Sequence, residues 1–464
     1  MPTCDIPKQA PYNILIVGAG LGGLATAIAL RKKGHNVHVL EGAPALGEVG
    51  AGIQIPPNST RLLEAWGLKD ALMKKIVWPK AINMRRYDTG AVIGITPLDP
   101  TMQKAYGYPY WLIHRADYQQ ILCDAAIAEG AKVTFGAYVL DCDQDNVTVT
   151  LANGEVLSAD LIIGADGISP LQCAKRNANA PYPGIKSRVR EFAVMPEEIV
   201  EPRTTTNCAY RATVPGELMR ADPELKKLIE EPYSNCWIGY RRHIMAYPIR
   251  EGQLYNLVMS HPGAAAVGKW NEPGNLDEMK AHYAGWDPIL DKVLDKVKAC
   301  LKWKLADLPV LSRWVSRSGK VVLIGDAAHA MVPYLAQGAA QAIEDAATLA
   351  ECISRTRSTD DFGAVLRVFQ LIRKPRCEKI QKGSMENGDI WHMPDGPEQV
   401  ARDADMKITM DLLAAEAAGI PTEKLAKTGK SNPNRWSDEE FQPWLFGHDA
   451  VAHANAQLDL LLKL

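Results

Sequence analysis

Three glycines near the start of the chain have the spacing of a nucleotide-binding turn. Gly18, Gly20 and Gly23 form G-x-G-x-x-G directly after Ile14–Val17, an apolar run typical of a buried parallel strand. In such a turn the first glycine permits the sharp bend, the second lets the backbone approach a pyrophosphate, and the third lets the following helix pack closely. Glu41, at the end of the next strand, is placed to accept both hydroxyls of an unphosphorylated ribose, which favours FAD or NAD over NADP.

The residues around this turn predict the strand, helix and strand that must position it. We expect a helix from about Gly22 to Lys33, ended by Gly34, and a second strand at Val37–Leu40. The free N–H groups and the positive dipole end of that helix point at the place of the pyrophosphate. The sequence therefore predicts an α/β domain of the Rossmann type.

Two acids follow later apolar strands in the same way. Asp166 comes after Leu161–Gly164, and Asp326 comes after the strand that begins at Val321. Open α/β sheets bind their ligands at the carboxyl ends of their strands, so both acids are candidate ligand contacts. Arg115 precedes a predicted helix and can meet a phosphate or ribose, and Gly52, in a glycine-rich loop, suggests backbone lying against a flat ligand.

Composition narrows the class of protein. The chain has 464 residues, 47% of them hydrophobic and 23% charged, which is ordinary for a globular protein of two or three domains. A net charge of −2 gives no support to nucleic-acid binding, and the nine scattered cysteines include no C-x-x-C, so no metal site is predicted. With no long apolar segment and no signal-peptide pattern, we expect a cytoplasmic protein, either monomer or homodimer.

The regular alternation of strands and helices is interrupted twice. A hairpin is predicted within residues 81–98, and residues 191–306 read mainly as strands. We therefore predict a discontinuous nucleotide-binding domain at 1–80, 112–190 and 310–375. A sheet-containing substrate domain takes 81–111 and 191–309, and a C-terminal helical region takes 376–464.

Taken together, the three motifs have the order and separation of one enzyme family. The sequence resembles the FAD-dependent aromatic hydroxylases of the p-hydroxybenzoate hydroxylase fold, the group A flavoprotein monooxygenases, and looks most like the fungal salicylate-hydroxylase-like members. The most specific segments are Gly325–Ala346, Gly50–Leu63 and Trp391–Met406. The resemblance covers essentially the whole chain.

The resemblance also implies roles for individual residues. Glu41 would bind the adenosine ribose, Arg115 the pyrophosphate region and Asp326 the ribityl chain of FAD. Gly338 and Ala339 would offer backbone N–H groups to the flavin, and Pro333 would line the ring face where oxygen is activated. His329 is expected to be structural.

The same resemblance implies the reaction. There is no second G-x-G-x-x-G, so NADPH or NADH would bind transiently, reduce FAD and leave. The reduced flavin would form a C4a-hydroperoxide with O2 that hydroxylates a small phenolic aromatic substrate, with or without decarboxylation. Two alternatives stay open: a dearomatising hydroxylase or epoxidase of a polyketide or indole alkaloid intermediate in secondary metabolism, and a flavin-binding protein without turnover.

Arg211 and Tyr240 are the candidate catalytic residues. Both lie on predicted strands of the substrate domain, and fungal relatives have an arginine in the motif that contains Arg211. A cation beside a phenol or carboxylate favours its ionised form, and a phenolate is far more activated than a phenol. Tyr240 would face the same pocket and hydrogen-bond the substrate oxygen. An ordinary ion pair is the alternative reading of Arg211.

One segment departs from the family pattern. Relatives read D-G-x-x-S-x-V-R without interruption, whereas here Asp166-Gly167 is followed by residues 168–184 before the expected continuation, Ile185–Arg190. The intervening polar, proline-containing stretch is typical of a surface loop. Alternatively, the stretch is a retained intron in the gene product. If the insertion prevents turnover, the protein would be the flavin-binding protein without activity that is named above as an alternative.

Overall fold

The computed structural model describes residues 10–47, 51–167, 187–194, 197, 203–263, 271–419 and 431–462. The helices are α1 (Leu21–Lys32), α2 (Pro57–Ala65), α3 (Lys69–Met73), α4 (Thr101–Tyr106), α5 (Arg115–Ala128), α6 (Gly216–Arg220), α7 (Lys226–Glu230), α8 (Leu276–Ala281), α9 (Pro288–Asp295), α10 (Asp326–His329), α11 (Gly338–Ile353), α12 (Phe362–Trp391), α13 (Pro397–Ala417), α14 (Phe441–Phe446) and α15 (Ala450–Leu461). The strands are β1 (Asn13–Val17), β2 (Asn36–Leu40), β3 (Gly52–Ile55), β4 (Ala81–Arg86), β5 (Val92–Pro97), β6 (Trp111–His114), β7 (Lys132–Thr134), β8 (Val139–Asp143), β9 (Thr148–Leu151), β10 (Val156–Ser158), β11 (Leu161–Gly164), β12 (Arg203–Pro215), β13 (Ser234–Gly239), β14 (Arg242–Ile249), β15 (Leu254–Pro262), β16 (Asn271–Pro273), β17 (Leu301–Asp307) and β18 (Val321–Leu323).

A parallel sheet in the order β18-β11-β1-β2-β7 forms the centre of the nucleotide-binding half. Its strands are short and apolar because both of its faces are covered, as parallel sheets require. The register places Val17 beside Gly164 and Gly164 beside Leu323, so the carboxyl ends of β1, β11 and β18 are level. The glycine turn, Asp166 and Asp326 therefore meet at one edge of this sheet.

Helices α1 and α11 pack against each other through small residues. A Cβ atom on Gly22 would lie only 3.0 Å from the Cβ of Ala342, which shows how close the two helices come. Nine of the twelve residues of α1, including Leu24 and Ile28, are buried. This packing fixes the amino ends of both helices beside the glycine turn.

A second sheet of eight strands has the order β16-β17-β12-β15-β14-β13-β4-β5. Alternate residues of each strand face opposite sides, so one face carries Ala209 and Met245 and the other carries Tyr210 and Ile244. The first face packs against α12–α14 and the loop before α11, and the second against α6–α9. The hairpin expected within residues 81–98 supplies β4 and β5.

A two-stranded sheet, β3 with β6, lies between the two large sheets. The first residue of β6, Trp111, which the sequence placed with the substrate domain, pairs with Ile55 of β3. The backbone N–H of Gly52 donates to Oδ1 of Asn256 on β15 at 2.6 Å. This bond joins the glycine-rich loop directly to the substrate sheet.

Beyond the core sheets, α12 is a single helix of thirty residues. Helix α13 packs on β5, where a Cβ on Gly94 would lie 3.1 Å from Cβ of Met406. A small antiparallel sheet, β10-β9-β8, covers one side of the first domain. No described helix combines the length and apolar character needed to cross a membrane.

Candidate active site

The three motif glycines are held in three different ways. Gly18 has a φ of +109°, and a Cβ there would lie 2.4 Å from the carbonyl oxygen of Ala165. A Cβ on Gly23 would lie 2.0 Å from the carbonyl oxygen of Gly18, so the helix could not pack as closely. A Cβ on Gly20 would have no atom of the described residues within 4 Å. Protein packing therefore explains Gly18 and Gly23, and leaves open space at Gly20 where a pyrophosphate would approach.

Glu41 fixes this turn from the end of β2. Its Oε2 accepts the N–H of Ala19 at 2.7 Å, and its Oε1 accepts the N–H of Ala43 at 2.9 Å. A carboxylate has about four lone-pair sites, so these two bonds leave capacity for ribose hydroxyls. Two backbone N–H groups thus orient the Glu41 carboxylate beside the glycine turn.

Asp166 rejoins the interrupted motif. Its Oδ1 accepts the hydroxyl of Ser187 at 2.6 Å, and its Oδ2 accepts the backbone N–H groups of Arg188 at 2.5 Å and Val189 at 3.2 Å. Burial raises the pKa of Asp166, and these hydrogen bonds oppose that rise. Asp166 therefore acts on its own chain, as a cap for the segment that follows the insertion.

The rejoined segment also reaches the third motif. Arg190 is buried and donates from Nη1 to the carbonyl oxygen of Ala327 at 2.8 Å. Val189 packs against Gly164, where a Cβ would lie 2.8 Å from the valine Cβ. Residues 168–184, on which the loop and intron hypotheses rest, lie outside the described residues.

The turn before Asp326 is held from below by a buried ion network. Gly325 has a φ of +58°, and its N–H donates to Oδ2 of Asp345 at 2.9 Å. The same carboxylate contacts Nε2 of His329 at 2.6 Å and Nε of Arg373 at 2.8 Å. His329 is thus structural, as expected, while Asp326 is exposed at the start of α10.

This network also contains a group of possible metal ligands. Atoms of His329, Asp345 and Cys377 lie within 4.8 Å of one another. The Arg373 guanidinium already contacts Asp345, and its Nη2 lies 3.5 Å from the Cys377 sulfur. The positive charge of Arg373 therefore takes the place that a metal ion would have beside these side chains. We conclude that the three residues have a structural role.

Helix α11 presents its amino end to the same edge. It begins at Gly338 and Ala339, and neither a capping side chain nor an acid occupies its first turn. The first N–H groups of a helix need partners, and such an end suits an anion or a polar ring atom. Pro333 is exposed in the loop before it. The open space at Gly20 and this uncapped helix end fit a flavin dinucleotide.

The remaining two cofactor candidates lie at β3 and β6. Arg115 is exposed at the first position of α5, and its N–H donates to Ala51 at 3.2 Å. A Cβ on Gly52 would lie 2.4 Å from Cε2 of Tyr247. The contact with Tyr247 therefore requires glycine at position 52. This reason differs from the one that we expected, which was a flat ligand lying against the backbone.

Arg211 lies in the middle of β12, on the face of the substrate sheet that points toward the loop before α11. Its guanidinium carbon lies 5.3 Å above the ring of Trp303, and its Nε has no hydrogen-bond partner. No carboxylate within the described ranges forms an ion pair with it. Burial, and then the neighbouring charge of Arg115, lower the pKa of Arg211 to about 10, while Tyr247 opposes this. The ion-pair reading of Arg211 therefore finds no partner in this part of the chain.

Tyr240 does not join Arg211 in this structure. It lies in the turn between β13 and β14 with 53% of its surface exposed. The register sets Arg211 level with Val258 and Met245, so the turn lies about 13 Å farther along the strands. The shared pocket that we expected for Tyr240 and Arg211 is not formed, because the strand ends before residue 240.

Tyr247 is the tyrosine beside Arg211. It lies on β14 opposite Asn256, on the same face as Met245, and is 2% exposed. Sequence reasoning missed it, although alternation along β14 puts residues 243, 245 and 247 on one face. The segment that contains Tyr240 therefore does supply a pocket tyrosine, seven residues later.

Comparisons with known proteins decide the family. Residues 11–383 match the family described as FAD binding domain. The chain belongs to this FAD-binding family. It is 38% identical over 450 residues to an FAD-dependent monooxygenase of Beauveria bassiana, covering 97% of each chain. It is also 31% identical over 402 residues to the 3-hydroxybenzoate 6-hydroxylase of Polaromonas naphthalenivorans, covering 86% of this chain and 92% of that one.

Solved structures give the same fold. A salicylate hydroxylase with bound substrate matches with a TM-score of 0.72 at 24% identity, over 96% of this chain and 98% of that chain. A second structure, described as CtdE with FAD and substrate, matches with a TM-score of 0.77 at 21% identity, over 97% and 99% of the two chains. The expected α/β fold, FAD cofactor and NAD(P)H-dependent monooxygenase activity of this FAD-binding family member are confirmed.

Proposed function

We propose that this monooxygenase hydroxylates an aromatic ring whose acidic oxygen, a phenolate or a carboxylate, is held by Arg211. The observation that carries the proposal is a half-buried guanidinium group whose Nε is buried, which lies near Arg115 and Tyr247 and has no acidic partner in the described structure. An isolated buried charge is costly, and an anionic ligand would neutralise it. Relatives such as 3-hydroxybenzoate 6-hydroxylase are named for substrates of this chemistry.

The cofactor and the protein would divide the work. Bound FAD, once reduced by NADH or NADPH, supplies the activation of O2. Gly18, Gly20, Gly23 and Glu41 would hold the dinucleotide, and Asp326 with the amino end of α11 would hold the flavin end. Arg211 would orient the ring and keep its oxygen ionised, and the enclosing sheet would exclude water. The dearomatising alternative uses the same site, and the mass of the product distinguishes it.

Substitution of Arg211 tests the proposal. Arg211→Ala should abolish substrate-dependent NAD(P)H oxidation and product while FAD content stays unchanged, because the residue lies outside the nucleotide fold. Arg211→Lys should restore only part of the activity, since lysine lacks the planar fork. Arg203→Ala is the matched control, because Arg203 lies on the same strand, is 57% exposed and pairs with Asp307. Full turnover in the Arg211→Ala variant with a phenolic substrate would overturn the proposal.

A further inference from the structure

Three neighbouring side chains, Tyr110, Gln54 and Tyr247, lead from the interior toward Arg211. Tyr110 is buried and donates its hydroxyl to Oε1 of Gln54 at 2.5 Å. Gln54 lies on β3 two residues after Gly52, so both face the same side of the strand. Gly52 lies against the phenol end of Tyr247, with an added Cβ 3.0 Å from Cζ. The Gln54 amide is therefore beside the Tyr247 hydroxyl.

Tyr110 decides which end of that amide faces Tyr247. The Tyr110 hydroxyl proton needs an acceptor, and the carbonyl oxygen of Gln54 is the one it has in the described structure. The opposite orientation would turn the amide N–H₂ toward Tyr110 and take that acceptor away. The amide donor is thus left for Tyr247. Burial raises the pKa of Tyr247, while Arg211 and a hydrogen bond from Gln54 oppose the rise, as a donor to the phenol oxygen would.

The hydroxyl of Tyr247 is then free to donate, because neither Gln54 nor Arg211, its two polar neighbours among the described residues, accepts its proton. Its oxygen accepts from Gln54, and Arg211 cannot accept a proton because a guanidinium only donates. Arg211 and Tyr247 lie on the same sheet face, two strands apart and two residues out of register, about 10 Å sideways and about 7 Å along the strands. Two long side chains at that separation can reach one small group between them.

We propose that Tyr110 and Gln54 are positioning residues that turn the Tyr247 hydroxyl toward the substrate, where it donates with Arg211 to the same anionic oxygen. The inference rests on the proposed function and narrows its substrate class. Hydrogen bonds from two donors stabilise the ionised form of an oxygen, so we expect the site to bind a ring bearing a deprotonated oxygen more tightly than a neutral phenol. Neither positioning residue touches the substrate.

A double-mutant cycle separates this role from simple packing. Salicylate, 3-hydroxybenzoate and 3-amino-4-hydroxybenzoate are the probes, and their dissociation constants are measured by calorimetry on the FAD-loaded protein. Tyr110→Phe and Tyr247→Phe should each weaken binding about tenfold to a hundredfold, as expected for one hydrogen bond to a charged oxygen. The double variant should bind no more weakly than Tyr247→Phe alone. Effects that multiply would show that Tyr110 acts independently of Tyr247 and would overturn the inference.

The matched control is Tyr118→Phe. Tyr118 is also buried, and its hydroxyl has no partner among the residues described. This change should leave probe binding unaltered, and FAD content and melting temperature confirm that all variants fold. Gln54→Leu is the second variant, and it should match Tyr110→Phe because either change releases the Tyr247 hydroxyl.

The ionisation of a bound phenol gives a readout that packing would not move. The phenolate form of 4-nitrophenol has its own absorbance band. A difference spectrum recorded at a pH below the solution pKa of 4-nitrophenol therefore shows whether the protein binds the phenol or the phenolate. Wild type and Tyr118→Phe should bind mainly phenolate, and Tyr110→Phe and Gln54→Leu a smaller phenolate fraction. Equal fractions in all four proteins would overturn the inference. If instead Arg211→Ala leaves probe binding unchanged, or no probe binds, the proposed function is wrong. The inference about Tyr110 and Gln54, which rests on it, is then wrong as well.

Discussion

Removal of Arg373 tests whether the buried ion network supports the flavin turn. The side chain of Arg373 is fully buried and contacts Glu344 at 2.5 Å and Asp345 at 2.8 Å, both of which are also fully buried. Arg373→Met keeps the apolar stem and leaves two buried carboxylates each short of a cation. Breaking a buried pair costs about 3–5 kcal/mol of unfolding free energy. We expect the lower part of this range, because Arg376 still contacts Glu344 and His329 still contacts Asp345. FAD content should fall as well, because Asp345 holds the N–H of Gly325.

The measurement is urea unfolding of the flavin-free protein, so that bound FAD does not stabilise one variant more than another. Lys382→Met is the matched control on the same helix, since Lys382 is 79% exposed and pairs with Glu386 across the surface. Exposed pairs contribute about 0–1 kcal/mol, so this change should be nearly silent. A loss below about 1 kcal/mol in Arg373→Met would refute the reasoning, because it is far under the cost of breaking a buried pair.

Acid should narrow the difference between Arg373→Met and wild type. Burial alone would raise the pKa of Glu344, but Arg376 and Arg373 hold it far below its ordinary value. A depressed carboxylate pKa stabilises the fold above the unfolded value, about 4.3 for glutamate, and this contribution is lost as pH falls toward the folded value. The variant has less of it to lose. Unfolding free energies measured from about pH 5 down to about pH 2 should therefore converge.

Three further predictions concern the motifs. Gly20→Val should abolish FAD binding yet leave the flavin-free fold intact, because no atom of the described residues lies within 4 Å of the added Cβ; retained flavin on the purified variant would contradict this. Deletion of residues 168–184 should give equal or higher FAD occupancy and faster substrate-dependent NAD(P)H oxidation, since Asp166 already caps Ser187; lost activity would make the insertion a working part. Tyr240→Phe should leave probe binding by calorimetry unchanged, whereas Tyr247→Phe weakens it; the reverse order would restore Tyr240 to the site.

The nucleotide-binding half could be predicted from the sequence because its motif residues contact atoms in the same or a neighbouring element. The roles of Gly18 and Gly23 depend on atoms within the same strand-helix unit or on its neighbour β11, and the structure shows both contacts. The continuation of the Asp166 motif at Ile185–Arg190 could also be recognised in the sequence, because its residue types are distinctive. Ser187 and Val189 return to the positions expected of them.

What the sequence could not show depends on contacts between distant elements. The end of β13 at Gly239 decides whether Tyr240 is on a strand or in a turn, and no residue type there marks the boundary. Gly52 has no local reason to be glycine, since Tyr247 lies across the domain boundary. The link between Asp345 and Arg373 joins two helices and leaves no periodic pattern.

The order of strands in the parallel sheet sets limits on how the chain folds as it is synthesised. β1 is complete at Val17, but its partner β11 ends at Gly164 and β18 ends only at Leu323. Between β11 and β18, the ribosome must synthesise most of the strands of the substrate sheet. A nascent chain that stops before β18 lacks an edge strand and helix α11, whose amino end we propose as part of the flavin site. Flavin capture is therefore a late event in synthesis, and amino-terminal fragments of this protein should emerge as clients of chaperones rather than as small flavoproteins.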